Sequence, residues 1–191
     1  NCAVLGFVTW APDIEVTPLM HWMEHGGPQF GYGNIGLSGA CWDHFYTSNV
    51  SVKRQLLLEH GLFDEDFPYA AWEDLELAYR LKKTAGLGVL FNRAAVGYHD
   101  HPTDMRSLMR RTRLAGHSRY LLACKHPELV GPPLPISFWR RLERSVLTLC
   151  LPLIGVIGWR RAMHSFYGLH IWTAEREGYL AAEKKALERA P

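Results

Sequence analysis

The sequence predicts an α/β domain followed by a helical extension, on three observations. Apolar, β-prone runs stand at residues 2–10 and 88–99. Helical periodicity is strong in residues 72–86, between those runs. From Thr103 onward the pattern is helical and basic. The expected division is residues 1–102 for the α/β part and 103–191 for the basic extension.

Taken in order, "CAVLGFVTW" (2–10) reads as a core strand. A buried strand at a terminus lacking Met is expected of a piece of a larger protein. "TPLMHWMEH" (17–25) reads as a short helix with Thr17 as N-cap and Pro18 at its first position. "GGPQFGYGNIGLSG" (26–39) carries six Gly and is expected to be a mobile loop, with "CWDHFYTSN" (41–49) a strand after it. "SVKRQLLLEHG" (51–61) predicts a helix capped by Ser51 and stopped at Gly61. An acidic loop (62–71) leads into "WEDLELAYRLKKTAG" (72–86), a helix ending at Gly86 with Lys82 and Lys83 where the dipole favours cations. "GVLFNRAAVGYHDH" (88–101) reads as one or two strands, and 103–129 as a basic helix. "GPPLP" (131–135) breaks the chain before two or three further helices in 137–190.

Composition excludes some classes. At 48% hydrophobic and 21% charged residues, the chain is globular rather than disordered. Its 12% aromatics, with seven Trp, suit a sugar or lipid surface as well as a core. The net charge of +2 conceals a polarity: residues 1–104 carry six basic against thirteen acidic groups, and 105–164 eleven against two. That asymmetry suggests a cation site and an anion-facing surface, with no nucleic acid expected among the partners. Cys2, Cys41, Cys124 and Cys150 form no C-x-x-C pair, which argues against a zinc ribbon or disulfide framework and for a reducing compartment. No signal-peptide pattern is present.

Six carboxylates stand in residues 63–81, and the helical wheel sorts those on the helix. Asp74, Leu77, Ala78, Leu81 and Ala85 share one face, and Glu73, Glu76, Arg80 and Lys83 the other. Glu76 and Arg80 are an i, i+4 pair in the favourable orientation, expected on the surface and worth about 0.2–0.5 kcal/mol. Asp74 heads the apolar stripe, where an ionised group needs a partner. A helix start stabilises an anion, so Asp74 is either a first-turn acid or a half-buried general base. In "AVGYHDH", Ala95, Gly97, His99 and His101 are expected on one side of a strand. The two imidazoles are candidate metal ligands, together or singly, or ordinary strand histidines.

In order and at compatible spacings, residues 40–101 carry "N-x-S-x-x-R" (Asn49, Ser51, Arg54), "G-x-F-D-E-x-F" (from Gly61 to Phe67), "E-D-x-E-L-x-x-R-L" (from Glu73 to Leu81) and a His after the last strand. This combination resembles the C-terminal half of family 2, GT-A-type glycosyltransferases, and "R-R-x-R-x-x-G" with "K-H-P-E-L" resembles their downstream helix. The resemblance implies a partial GT-A (Rossmann-like) sheet and inverting transfer from a nucleotide-diphosphate-sugar to a glycan or lipid-linked acceptor. A divalent metal, Mg or Mn, is implied with it, as in cell-envelope polysaccharide synthesis. It makes Asp74 the base and Glu73 an acceptor-orienting acid. Trp72, Asp64, Glu65 and Asn49 fall on the acceptor side, and His99, or else His101, at the metal or pyrophosphate. Arg110 and Arg113, with Arg106 and Arg111, are the candidate cations for the leaving diphosphate, although a solvated face accounts for most of them. Two features depart from the family. No D-x-D motif occurs before residue 10, and "MRRTRLA" stands where processive members carry Q-x-x-R-W. The chain is thus expected to hold the acceptor and base half of a site, and not to bind donor well alone.

The tail carries "SVLTLCLPLIGVIGW" (145–159), shorter than the roughly 20 residues of a spanning helix and expected to be broken at Pro152. Arg140, Arg141, Arg144, Arg160 and Arg161 flank it, with Trp139, Trp159 and Trp172 nearby. An interfacial hairpin on an anionic leaflet, or an oligomer contact, is expected, at the inner face of the cell membrane of a cytoplasmic protein.

Overall fold

The computed structural model describes residues 1–25, 31–35, 39–157 and 160–189. The chain divides into two compact units, Asn1–Pro102 and Thr103–Pro191. The first is α/β and the second helical, so the α/β class with a helical extension expected from the sequence is the class observed.

The first unit is built on strand β1 (Cys2–Trp10). It pairs antiparallel with β2 (Val50–Val52) and parallel with β3 (Gly88–His99), giving the order β2-β1-β3. A parallel neighbour needs a crossover, and helices α2 (Arg54–His60) and α3 (Glu73–Ala85) supply it. The β1–β3 register slips once: Gly6 opposes Asn92 and Phe7 opposes Val96, which leaves residues 93–95 as a bulge. Asn49 explains how the bulge is held. Its Nδ2 donates to the carbonyls of Phe7 (3.2 Å) and Ala95 (2.9 Å) and occupies the space a Cβ on Gly6 would need.

Helix α1 (Pro18–His25) begins as its sequence predicts, with Pro18 first and Thr17 Oγ1 accepting the Met20 N–H at 3.3 Å. It buries Leu19, Met20, Trp22 and Met23, and the Trp10 indole donates to the Met20 carbonyl. On α3, the stripe Leu77, Ala78 and Leu81 is fully buried. Gly86 closes that helix in the left-handed conformation at φ 65°, donating to the Lys82 carbonyl.

Four expectations are corrected here. The segment expected as a strand over 41–49 forms two 3₁₀ turns, Trp42–His44 and Thr47–Asn49, and only the next three residues join the sheet. Reciprocal bonds between Cys41 and His44 wind the first turn, and Asn49 is held in the bulge, so local and tertiary hydrogen bonds outcompete β propensity. Ser51 is not an N-cap: pairing of Val50 with Leu5 and Val52 with Ala3 keeps the chain extended through it, and α2 starts after Lys53. Glu76 is not a surface residue, being 2% exposed. His101 does not share the alternation of Ala95, Gly97 and His99, because β3 ends at His99. Of the expected mobile loop, residues 26–30 and 36–38 lie outside the described residues. Within it, Tyr32 is buried and stacks on Phe91 at 5.7 Å.

The second unit holds α4 (Met105–Lys125), α5 (Phe138–Ile157) and α6 (Arg160–Leu187). Asp104 and Ser107 cap α4 reciprocally, with the Ser107 N–H donating to the Asp104 carboxylate at 2.7 Å. α4 and α6 run antiparallel, with Arg113 paired to Glu177 and Arg119 to Glu175, each at 2.9 Å. Their backbones approach closely at two glycines: a Cβ on Gly116 would strike the Glu175 carbonyl, and one on Gly178 the Arg113 carbonyl. α5 runs through Pro152 as one helix, against the expected break. Trp159 lies outside the described residues. Among the described residues, no helix is long and apolar enough to cross a membrane.

Gly116→Ala and Gly178→Ala are each expected to destabilise the protein by about 1–3 kcal/mol, since the helices must part to admit a methyl. Urea unfolding checks this, and an unchanged midpoint in both variants would refute the close approach.

Candidate active site

The candidate site is at the start of α3 in the first unit. Residues 73–76 put three carboxylates into one helical turn, and the structure gives them three environments. Glu76 is buried and pairs with Arg80 (Oε1 to Nε, 2.7 Å). Arg80 also donates to the carbonyls of His60 (3.3 Å) and Leu62 (2.6 Å), tying α3 to the entry of the acidic loop. Gly61 between them has φ 100°, and a Cβ there would meet the guanidinium at 2.6 Å.

Asp74 is half-buried. Its Oδ1 accepts the Leu75 N–H at 2.8 Å. Burial pushes its carboxyl above the usual range, while the N–H groups of Leu75, Thr47 and Asp74 itself pull it down without overcoming burial. Tyr46 lies nearby: burial first, then the charges of Asp43, Tyr32 and Asp74, hold its hydroxyl above the ordinary tyrosine range.

Glu73 faces a cleft of about 410 Å³ whose lining includes Thr47, Phe63, Asp64, Phe67 and Tyr69. Burial again raises its carboxyl, the N–H groups of Glu73 itself and Ala71 pull it down without overcoming burial, and the Asp74 charge adds to the rise. Its Oε2 is sealed from solvent with no hydrogen-bond partner in the structure. The residue ahead of the pair, Trp72, has φ 73°, the one non-glycine positive φ among the described residues. Bulky side chains rarely adopt that conformation, and such outliers collect at functional sites.

Of the residues singled out in the sequence, Glu73 and Asp64 line one cleft, and Asp74 and Trp72 flank Glu73 in the chain. Glu65 is exposed on the same loop. Asn49 is engaged at the β-bulge. His99 packs edge-on to Trp10 at 5.4 Å, with the His101 ring 6.1 Å from it. Arg110 and Arg113 belong to the second unit, both exposed, with Arg113 paired to Glu177. Sequence reasoning missed the cleft walls Phe63, Phe67 and Tyr69. It also missed Cys41, Asp43 and His44, whose candidate ligand atoms lie within 4.8 Å of one another. Among the described residues that is the one such group of three, so neither His99 nor His101 belongs to one.

Among curated proteins, the chain is similar to glycosyltransferases. It is 40% identical over 68 residues to a Bacillus subtilis (strain 168) protein described as the uncharacterized glycosyltransferase YfnE, over 35% of this chain and 17% of that protein. It is 34% identical over 110 residues to validoxylamine A glucosyltransferase of Streptomyces hygroscopicus subsp. jinggangensis (strain 5008), over 55% of this chain and 23% of that protein. The counterpart from subsp. limoneus gives the same identity over 22% of its length. The chain therefore spans about a fifth of the curated relatives it matches. No family model matches it, and no solved structure does.

The raised Asp74 carboxyl carries a pH signature. A folded value above the unfolded 3.8 means that the native state holds the proton more tightly. The stabilisation is fully present below 3.8 and is lost as pH rises through the folded value. Asp74→Asn should be more stable than the parent near neutrality, with the difference shrinking in acid. Urea midpoints across that range test this, and a variant less stable at neutral pH contradicts it.

Proposed function

We propose that this chain carries the acceptor and base side of an inverting, family 2 type glycosyltransferase acting on a nucleotide-diphosphate-sugar. The observation that carries the reading is Asp74, a carboxylate held half-buried and above its usual range beside an aromatic and acidic cleft. The similarity to glycosyltransferases supports it. A sugar hydroxyl is a poor nucleophile, and a carboxylate that takes its proton as it attacks the anomeric carbon lowers the barrier. Partial burial raises the basicity of Asp74 towards the working pH. The N-terminal turn of α3 keeps it ionisable. Glu73, facing the cleft, would orient the acceptor, and the exposed rings of Phe63 and Tyr69 would lie against a sugar face. The acceptor is the hydroxyl of a glycan or lipid-linked sugar. The Streptomyces relatives are named for glucosyl transfer, so a glucosyl donor is the first to test.

A divalent cation, Mg or Mn, belongs to the same reading. Mg prefers an oxygen shell, and His99 and His101 offer imidazole nitrogens only. Among the described residues no group of three metal-capable side chains includes them. No step is assigned through the metal.

In the intact enzyme, Asp74→Asn should lower turnover by about 10²–10⁴-fold with donor binding kept. Glu73→Gln should mainly raise the acceptor KM. Near-normal turnover in Asp74→Asn, alongside a collapsed kcat in Glu73→Gln, would transfer the base role to Glu73.

One observation favours a second, non-catalytic reading for the other unit. α5 exposes Phe138, Trp139, Leu142, Val146 and Leu149 along one stripe, with Arg140, Arg141 and Arg144 beside it. Apolar area flanked by arginine suits an anionic lipid surface. The chain should float with anionic vesicles, less so at raised salt and at least several-fold less with Trp139→Glu. Absence of flotation with anionic vesicles removes this reading.

A further inference from the structure

Three side chains of one surface turn offer a chemistry that the reading of Asp74 does not use. Cys41, Asp43 and His44 belong to the 3₁₀ turn Trp42–His44 and its N-cap, and their candidate ligand atoms lie within 4.8 Å of one another. The turn is held from the protein side. Trp42 packs on Tyr79 of α3 at 5.5 Å, and Phe45, 2% exposed, follows it into the core. The His44 ring stands edge-on to Tyr46 at 5.9 Å, with its side chain 14% exposed. Cys41 and Asp43 are exposed, and the Cys41 thiol is free of any disulfide. One ligand is thus set by packing, and two can rotate onto it. An ion bonded at about 2.0–2.3 Å holds its ligands about 3–4 Å apart, so closing the group asks for side-chain rotation alone.

The surroundings of His44 point to a cation. Its Nδ1 accepts the Cys41 N–H at 3.1 Å and stands 3.0 Å from Asp43 Oδ1. A bare nitrogen that accepts the N–H faces the carboxylate acceptor to acceptor, and a positive ion shared by Nδ1 and Oδ1 removes that conflict. No Lys or Arg occurs in residues 1–52, and the ion pair of Asp43 among the described residues is with His44. A proton on Nδ1 would serve, and so would a metal ion. Cys41 Sγ decides between them. A proton shared by His44 and Asp43 needs no sulfur, whereas thiolate, imidazole and carboxylate together are the donors that zinc takes. Hard ions such as Mg prefer oxygen alone.

We propose that Cys41, Asp43 and His44 form a site for a borderline-soft divalent cation of the zinc class. The ion is bound by Cys41 Sγ, an Asp43 carboxylate oxygen and a His44 ring nitrogen, and the exposed side of the turn leaves a fourth position to water. On binding, the sulfur–metal bond replaces the S–H bond and the thiol proton passes to solvent. The site is separate from the Mg or Mn of the transfer reaction and does not rest on the role of Asp74.

The test titrates the full, untagged and reduced chain with Co²⁺ and follows the thiolate-to-cobalt charge-transfer absorption. One equivalent is expected to give the band, Zn²⁺ to displace it, and excess Mg²⁺ to leave it unchanged. Cys41→Ser, on an exposed position where folding is not at stake, is expected to abolish the band. Cys2→Ser, Cys124→Ser and Cys150→Ser are expected to keep it. Asp43→Asn and His44→Gln are each expected to weaken Zn²⁺ binding by roughly 10–100-fold or more, since even partners behind the ligands are worth that much. Absence of the band overturns the proposal and leaves a proton between His44 and Asp43. A band that survives Cys41→Ser, or Zn²⁺ affinity unchanged in both Asp43→Asn and His44→Gln, overturns it as well.

Discussion

Arg80 holds the site together. Its partner Glu76 is 2% exposed, so the ion pair at 2.7 Å is the condition under which that carboxylate can be buried at all. Removing one member of a buried pair leaves a charge without compensation, at a cost of about 3–5 kcal/mol. The same guanidinium also grips the carbonyls of His60 and Leu62, on either side of Gly61. One cation thus fixes the helix, the end of α2 and the entry of the acidic loop. Phe63 and Asp64 follow directly along that loop, and Glu73 stands two turns before Arg80 on α3. Arg80 thus ties the helix that begins with Glu73 to the start of the loop that carries Phe63 and Asp64.

Around that clamp the first unit accepts several local costs. Trp72 takes a left-handed conformation that an aromatic residue seldom adopts, and two adjacent carboxylates follow it, each raised by burial. The sheet is bent by a bulge that Asn49 must bridge. Stability alone would select none of these. Strain and buried charge near one cleft are the pattern expected where a site is held in a shape that chemistry requires. The second unit shows the opposite economy, with helices brought together through glycines and surface ion pairs.

Much of this was legible in the sequence. β1, α1 and α3 follow from apolar runs, a Thr-Pro start and a glycine stop, all of which act within a few residues. The wheel that set Asp74 with Leu77, Ala78 and Leu81 also anticipated its partial burial. It misjudged Glu76, because period alone cannot show that Arg80 turns inward to meet it while bonding to the loop. It could not show that Phe63, Phe67 and Tyr69 line one space with Glu73, since loop residues carry no period.

By itself, the sequence determined the local elements, the acidic pair at a helix start and the basic helical tail. Short-range periodicity, capping chemistry and charge order are sufficient for those. Tertiary structure alone decided which acid is buried in a salt bridge, which faces the cleft, and that Asn49 braces a bulge. The bulge depends on carbonyls 42 and 46 residues from Asn49, brought close when β1 pairs with β2 and β3, and the burial of Glu76 goes with an Arg80 that also reaches carbonyls 18 and 20 residues back.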